Sequence, residues 1–299
     1  MTATMKLAII GDIHGFWDDH DTAFFNASDY DGLLFVGDFA RWTNSLPVAR
    51  LLADLTRPAW AIPGNHDAVS PSQLMAEIKG RRLLRLLTGI GMDYRVRKLA
   101  GALGPVRLRG FSLDKLGDEL GLLTARPHAM GPDRFYYQGY MKRRFGVADY
   151  EASGKKLKAL VDEAPERLII LAHNGPTGLG ETPDAPFGND FKPGHGDFGD
   201  PDLRVAIDYA RRSGRQVLAV VAGHMHHHNR KTGNSRKTSA QDGETLYINA
   251  AQVPRIKRKT GLRHHIALTI DDASLTAETL WVTEQGEIQS RIPITDSQA

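Results

Sequence analysis

Asp, Asn and His side chains recur in this 299-residue sequence directly after short apolar runs. The runs are rich in branched residues, as expected for strands that are buried on both faces. Ligands of open α/β sheets bind beyond the carboxyl ends of the strands. The sequence therefore predicts that these side chains meet at one edge of a sheet. They follow five runs, at Asp12 and His14, Asp38, Asn65 with His66 and Asp67, His173, and His224 with His226.

Metal binding is the chemistry that these residue types favour. Carboxylate, amide and imidazole ligands without thiolates suit Mn, Fe, Co, Ni or Zn. The sequence contains no cysteine, which excludes disulfides, thiolate zinc sites and thiol nucleophiles. Each cluster alone has a plainer interpretation: Asp12 could cap a helix, and His173 could be a structural histidine. The occurrence of all five, in order and each after a strand, favours a metal site.

The first third of the chain supplies the elements that must position these residues. Apolar runs at 6–11, 33–37 and 59–63 predict strands, and residues 46–55 predict a helix with an apolar stripe. Such an alternation of strands and helices indicates βαβ units and a largely parallel sheet.

The rest of the chain is less regular. Residues 72–87, with a basic outer face, and residues 147–164 and 203–212 predict helices. Runs at 95–99 and 106–110 could be strands of a second sheet. Strands are also expected at 168–172 and 217–222, and at 245–250, 264–270 and 277–282, where the close spacing indicates antiparallel pairing.

The domain organisation predicted from this pattern is one domain over residues 1–299, because no repeat or linker divides the chain. Residues 175–201 are rich in Gly and Pro and leave the sheet directly after His173. Loops of this length usually carry function, so we expect a long active-site loop that selects the substrate, and the alternative is a disordered excursion.

Composition limits the class of protein and its partners. The 41% hydrophobic and 24% charged fractions exclude a disordered chain, and the net charge of +3 gives little support to a nucleic-acid partner. No stretch approaches the roughly 20 apolar residues of a membrane span, so a cytoplasmic protein without a membrane partner is expected. The basic segments 230–237 and 255–263 either steer an anionic substrate or are solvated faces, and 79–109 is expected to be a solvated face.

The order Asp-x-His, Gly-Asp, Gly-Asn-His-Asp, His, Gly-His-x-His over residues 12–226 resembles the calcineurin-like metallophosphoesterase superfamily. The resemblance implies an α/β fold in which two mixed β-sheets pack as a sandwich flanked by helices. It also implies two divalent metal ions, with Mn expected and Fe, Zn, Co or Ni as alternatives. The implied ligands are Asp12, His14, Asp38 and His226 for the first ion, and Asp38, Asn65, His173 and His224 for the second.

The reaction that the resemblance implies is hydrolysis of phosphate esters by a hydroxide that bridges the two metals. Asp38 would be the shared ligand. His66 would protonate the leaving oxygen, and Asp67 would orient His66.

The residues after Asp38 differ from those of the better-known subfamilies, and this difference bears on the substrate class. Residues 39–42 lack the Asp-Arg-Gly of protein Ser/Thr phosphatases and the ligand Tyr of purple acid phosphatases. The pattern looks closer to bacterial phosphodiesterases, so a phosphodiesterase on a small or nucleotide-like substrate is expected. A phosphomonoesterase or protein phosphatase, and a non-catalytic metal-binding scaffold, are the alternatives.

Two further residues are candidates for substrate binding. Arg41 lies three residues after Asp38 and could clamp a substrate phosphate, or it could pair with a surface carboxylate. His195 lies in the long loop and could reach the substrate, or it could be a solvated histidine.

Overall fold

The computed structural model of the protein describes residues 4–191, 196–272 and 274–294. Two mixed β-sheets pack face to face, and helices cover their outer faces. This arrangement confirms the predicted fold class. The strands in these ranges are β1 (Met5–Ile10), β2 (Gly32–Phe35), β3 (Ala59–Ala61), β4 (Arg107–Leu108), β5 (Ser112–Lys115), β6 (Leu120–Thr124), β7 (Arg167–Leu171), β8 (Gln216–Ala222), β9 (Ser239–Asp242), β10 (Thr245–Asn249), β11 (Ile256–Lys257), β12 (Leu262–Ile270), β13 (Leu275–Val282) and β14 (Ile288–Pro293).

Helices alternate with the strands in the first part of the chain and cluster in the middle. None of the helices in the described ranges is long and apolar enough to cross a lipid bilayer. They are α1 (Asp19–Ala27), α2 (Leu46–Leu52), α3 (Pro71–Lys79), α4 (Arg82–Thr88), α5 (Met92–Ala102), α6 (Gln138–Phe145), α7 (Tyr150–Asp162) and α8 (Pro201–Arg212).

The first sheet has the order β14-β13-β12-β1-β2-β3-β4, with β11 paired to β12. Strands β1 to β4 are parallel, and β12 joins them antiparallel to β1. The second sheet has the order β5-β6-β7-β8-β10-β9, with β6, β7, β8 and β10 parallel. The strands that precede the predicted ligands are therefore interior, parallel strands of the two sheets.

The apolar core explains why these strands are continuously hydrophobic. Side chains such as Leu7, Ile9, Ile169 and Leu171 fill the space between the sheets. The opposite face of the first sheet packs against α1, α2 and α5, and that of the second against α6, α7 and α8. Both faces of the central strands are buried, so no polar residue interrupts them.

Several predictions about the middle and the end of the chain are wrong. Residues 95–99 lie inside α5 and not in a strand, because a short apolar run does not distinguish the two. Residues 106–110 contribute β4 to the first sheet, not the second. The strand expected at 245–250 is β10 of the second sheet, parallel to β8 and antiparallel to β9, so it does not pair with β12 or β13, which are antiparallel to each other as expected.

The helix predicted over 72–87 is two helices. Gly80 ends α3 with φ of 66°, a left-handed conformation that favours glycine, and α4 begins two residues later. The outer face of α4 also differs from the prediction, because it carries exposed leucines beside its arginines.

Candidate metal centre and active site

The structure brings the predicted ligands together at the carboxyl ends of β1, β2, β3, β7 and β8. Two groups form, Asp12 with His14 and His226, and Asp38 with His173 and His224. Within each group the possible ligand atoms all lie within 4.8 Å of one another.

Asp38 lies between the two groups. Its Oδ1 atom is 3.7 Å from Nε2 of His173, and its Oδ2 atom is 3.6 Å from Nε2 of His14. The amide oxygen of Asn65 is 2.9 Å from the same Nε2 of His173. One carboxylate thus faces both groups, and Asn65 joins the second.

The histidine rings are held with lone pairs turned towards the centre. Nδ1 of His14 lies 3.0 Å from the carbonyl oxygen of Ala40, and Nδ1 of His173 lies 2.7 Å from that of Val36. A carbonyl only accepts, so Nδ1 carries a proton, and in the neutral ring Nε2 then offers a lone pair. Nε2 of His14 is also 3.1 Å from Nε2 of His226. Converging carboxylates and imidazole nitrogens with this second set of hydrogen bonds fit divalent metal ions.

The protonation states of Asp12, Asp38 and His224 also suit metal binding. Burial acts to raise the pKa of Asp12, but the hydrogen bond with His226 and nearby histidines hold it below its ordinary value. Burial of Asp38 is likewise outweighed by His173, His66 and His14, so its pKa is also lowered. Burial and the neighbouring His173 lower the pKa of His224 to about 3. The carboxylates are therefore ionised and His224 is neutral, as metal ligands must be.

Backbone strain is concentrated at this site. His14, Asp38 and His224 have φ of 45°, 49° and 66°, in the left-handed region that non-glycine residues rarely adopt. Glycine is required where two chain segments approach the carboxylates. A Cβ atom at Gly64 would lie 2.2 Å from Oδ1 of Asp38, and one at Gly223 would lie 2.1 Å from Oδ1 of Asp12.

His66 lies at the edge of the centre, and its ring is held by the backbone. Nδ1 of His66 is 2.6 Å from the carbonyl oxygen of Trp42, and its backbone N–H donates to Asp38 at 2.9 Å. The structure does not bring the carboxylate of Asp67 to the His66 ring, so the predicted orienting contact is made by Trp42 instead.

Asp67 is buried and ties two loops together. Its oxygens accept hydrogen bonds from Gly64 N (2.9 Å), Ala40 N (3.2 Å) and Ser45 Oγ (2.7 Å). Burial and the charge of Asp38 raise the pKa of Asp67 to about 7. Asp67 therefore supports the backbone around Asn65 and His66.

A cleft of about 370 Å³ opens over the metal centre. One wall carries Asp38, Asn65, His66, His224 and His226. The remaining lining is largely apolar, with Ile78, Met130, Tyr136, Phe191, Phe198 and Met225 beside the polar Asp190, His228 and Arg230.

The long loop over residues 175–201 reaches this cleft. It contributes Asp190, Phe191 and Phe198 to the lining. The ring of Phe198 stacks on that of His224, with 6.3 Å between the ring centroids and an interplanar angle of 17°. Its carboxylates fasten the loop: Asp190 pairs with the buried Arg236 at 3.2 Å, and Asp184 accepts from Thr232 Oγ1 at 2.7 Å.

Other charged candidates divide between the cleft and the core. Arg230 lines the cleft, but Arg236 is buried under the loop. In the segment 255–263, Arg255 and Arg263 are buried and pair with Asp21. These three arginines are therefore structural, and they do not steer a substrate.

Of the two substrate-binding candidates, the structure describes only Arg41, and it does not bring Arg41 to the cleft. Arg41 is exposed and is not among the residues that line the cleft. Among residues 4–191, 196–272 and 274–294, no carboxylate pairs with it. His195 lies outside the described residues.

Two residues that sequence reasoning missed hold the loop that carries Asn65. Tyr137 donates its hydroxyl to the carbonyl oxygen of Asn65 at 2.6 Å, and Nδ1 of His128 lies 2.8 Å from the carbonyl oxygen of Gly64. Both are buried and have positive φ. His128 follows the apolar run of β6, so the pattern that marks the other candidates could have found it.

Comparisons with known proteins bear on the family and the fold of the chain. The calcineurin-like phosphoesterase family model matches residues 5–228. No curated protein matches the chain. One crystal structure is 12% identical, covers 92% of this chain and 99% of its own, and has a TM-score of 0.54. PhoD is 10% identical over 99% of this chain and 72% of its own, with a TM-score of 0.51.

A third structure, TT1561 of Thermus thermophilus, is 8% identical and covers 92% of this chain and 98% of its own, with a TM-score of 0.47. At these identities the first two likenesses show the fold alone. The family model spans all five clusters of candidate ligands and confirms the resemblance seen in the sequence. The chain belongs to the calcineurin-like phosphoesterase family.

Proposed function

We propose that the protein hydrolyses phosphate esters with the help of two divalent metal ions, and that its substrate is a small or nucleotide-like phosphodiester. The observation that carries the proposal is the position of Asp38, whose two oxygens face Nε2 of His173 and Nε2 of His14 at 3.7 and 3.6 Å. One carboxylate that serves two ligand groups is the arrangement that a two-metal site needs.

The residues divide between the two ions as the family resemblance implies. Asp12, His14, Asp38 and His226 would hold one ion, and Asp38, Asn65, His173 and His224 the other. Bound divalent ions supply a Lewis acid for the phosphoryl oxygens and lower the pKa of a coordinated water. Mn is the metal that we propose, and the mixed set of oxygen and imidazole ligands also suits Fe, Zn, Co and Ni.

His66 is proposed to protonate the leaving oxygen. Its Nδ1 is engaged by the carbonyl of Trp42 at 2.6 Å, so Nε2 is the ring atom available to the cleft. In the imidazolium form Nε2 carries a proton, which it can donate to the departing alkoxide.

The lining of the cleft favours a phosphate ester that carries an organic substituent. Met130, Tyr136, Phe191 and Phe198 extend the lining beyond the metal centre, and a bare phosphate would make no use of them. An apolar or aromatic ester group would be desolvated there. We propose the loop over 175–201 as the element that selects this group, within a single domain spanning residues 1–299.

A substrate panel tests the proposal. Metal-depleted protein is reloaded with Mn²⁺, and turnover of bis-p-nitrophenyl phosphate is compared with that of p-nitrophenyl phosphate. The expected result is metal-dependent turnover with a higher kcat/KM for the diester. A higher kcat/KM for the monoester would favour a phosphomonoesterase, and metal binding without turnover of either would favour a scaffold.

A further inference from the structure

Helix α4 presents an apolar stripe to solvent. Leu83, Leu86 and Leu87 follow the spacing i, i+3, i+4, which places them on one face of the helix, and the exposed Ile90 lies two residues beyond the helix end. Their exposed fractions are 76%, 60%, 65% and 71%. Single exposed leucines are common, but a contiguous stripe indicates an interaction site.

The inward contact of the same helix is made by a charged residue, Arg85. Arg85 donates from Nε to Glu77 at 2.7 Å and from its guanidinium to the carbonyl oxygen of Phe135 at 2.9 Å. None of the residues of α4 is buried. The helix is therefore anchored through a polar contact, and its apolar side is left for a partner.

The charge around the stripe is positive. Residues 79–92 contain Lys79, Arg81, Arg82 and Arg85 but no Asp or Glu. Arg85 is neutralised by Glu77, whereas Lys79, Arg81 and Arg82 are exposed and have no ion-pair partner among the residues that the structure describes. Apolar side chains flanked by unneutralised cations characterise helices that lie in the surface of an anionic membrane.

We propose that this α4 surface, formed by Leu83, Leu86, Leu87 and Ile90 with Arg81 and Arg82, docks the protein on an anionic lipid bilayer. The aliphatic side chains enter the boundary between headgroups and acyl chains, and the arginines lie at the level of the lipid phosphates. The helix lies on the membrane and does not cross it.

The charges favour a bilayer over a second copy of the chain. A two-fold dimer through α4 would place the same patch of both subunits face to face. Each copy would then bring Arg81 and Arg82 to the interface, with no carboxylate in residues 79–92 of either copy to offset them. An anionic bilayer offers apolar and negative groups together.

Helix α3, which contacts α4, contributes to the lining of the cleft. Ile78, in the preceding helix α3, lines the cleft and is itself 47% exposed. Docking through α4 therefore holds the cleft near the lipid headgroups.

Vesicle co-sedimentation tests the inference without any assay of activity. The full-length protein is mixed with phosphatidylcholine vesicles that either contain or lack phosphatidylglycerol, at low and high salt. The expected result is binding to the anionic vesicles that weakens with salt. Leu83→Gln with Leu87→Gln should lower the binding constant at least about tenfold, because two aliphatic side chains no longer enter the bilayer.

The control is Ile288→Gln with Ile292→Gln, which removes two exposed aliphatic side chains of β14, 47% and 54% exposed. This variant should bind as the wild type does, and thermal unfolding verifies that both variants are folded. Equal binding of all three proteins, or no binding to anionic vesicles, would overturn the inference. It would also be overturned by a wild-type dimer, seen in analytical ultracentrifugation, that the Leu83→Gln, Leu87→Gln variant dissociates.

Discussion

The ring Nδ1 atom of His66 lies 2.6 Å from the carbonyl oxygen of Trp42. Because the carbonyl only accepts, this contact fixes the Nδ1 proton and leaves Nε2 for the cleft. The neighbouring Asp67 instead accepts from Gly64, Ala40 and Ser45. The proposed acid is thus oriented by backbone, and its carboxylate neighbour stabilises the surrounding loops.

His66→Ala should lower kcat by 10²–10⁴-fold, as is usual for a lost general acid. Metal content should not change, because His66 belongs to neither ligand group. The measurement is kcat for diesters with a series of leaving groups, beside metal analysis. His20→Ala, at an exposed position on α1, is the control. The loss should shrink as the leaving group improves; an equal loss for all leaving groups would contradict the acid role.

Phe191→Ala should weaken recognition of the ester substituent. Phe191 lines the cleft, is 49% exposed, and meets Phe198 edge to face at 4.9 Å. We expect kcat/KM for a diester with an aromatic group to fall by up to about tenfold, since an aromatic contact is worth ~0.5–1.5 kcal/mol beyond its burial. Dimethyl phosphate should be unaffected. Tyr94→Ala, which removes an exposed ring outside the cleft lining, is the control. Parallel losses for both substrates would refute a selective role.

Arg126→Ala should strongly destabilise the protein. The buried Arg126 pairs with Asp200 at 2.5 Å and Asp202 at 2.7 Å, where the long loop enters α8. Without it two buried carboxylates lack their cation, which costs about 3–5 kcal/mol of unfolding free energy. Urea unfolding measures this.

The matched control for Arg126 is Arg143→Ala. Arg143 pairs with Asp93 at 2.8 Å, but its side chain is 51% exposed, so its removal should change the unfolding free energy by no more than about 1 kcal/mol. Similar losses of unfolding free energy in the two variants would show that the buried ion pairs of Arg126 do not stabilise the end of the loop.

His265 should contribute to destabilisation in acid. Its Nε2 lies 2.8 Å from the Tyr30 hydroxyl, and burial lowers its pKa from 6.5 to about 3. Between these values the unfolded chain binds a proton that the folded chain does not. The free energy of unfolding therefore falls as the pH is lowered through this window.

His265→Gln tests that contribution, because Gln still offers an oxygen to Tyr30. Between pH 6.5 and about 3 the variant should lose stability less steeply than the wild type, by about 1.4 kcal/mol per pH unit at most. Urea unfolding in a metal chelator at several pH values measures this slope. His20→Gln, at an exposed position, should match the wild type. An unchanged slope in His265→Gln would mean that His265 titrates alike in both states.

The positions of the candidate ligands could be predicted from sequence because the strands before them are buried on both faces. The sequences of such strands are continuous apolar runs, and the polar residues that follow mark the carboxyl ends. β6 was missed because Gly121 interrupts its run, and with it His128 was missed. The run over 95–99 was short enough to suit either a strand or a helix.

Contacts between distant segments could not be predicted. The partner of the His66 ring is a backbone carbonyl, at Trp42, which no pattern of side chains reveals. The sequence leaves open whether the basic segment 230–237 steers a substrate or is a solvated face, yet its Arg236 is buried against Asp190 of the long loop. The outward stripe of α4 also depends on tertiary packing, since the same leucines would suit a helix that faces the core.

The central claim is that Asp38 is shared by two metal ions, and metal analysis of wild-type and Asp38→Asn protein by mass spectrometry tests it most directly. The wild type should carry two divalent ions per chain. The variant should lose affinity for both ions, and with it turnover, while circular dichroism shows an intact fold. An Asp38→Asn variant that keeps two ions per chain and wild-type turnover would contradict the account.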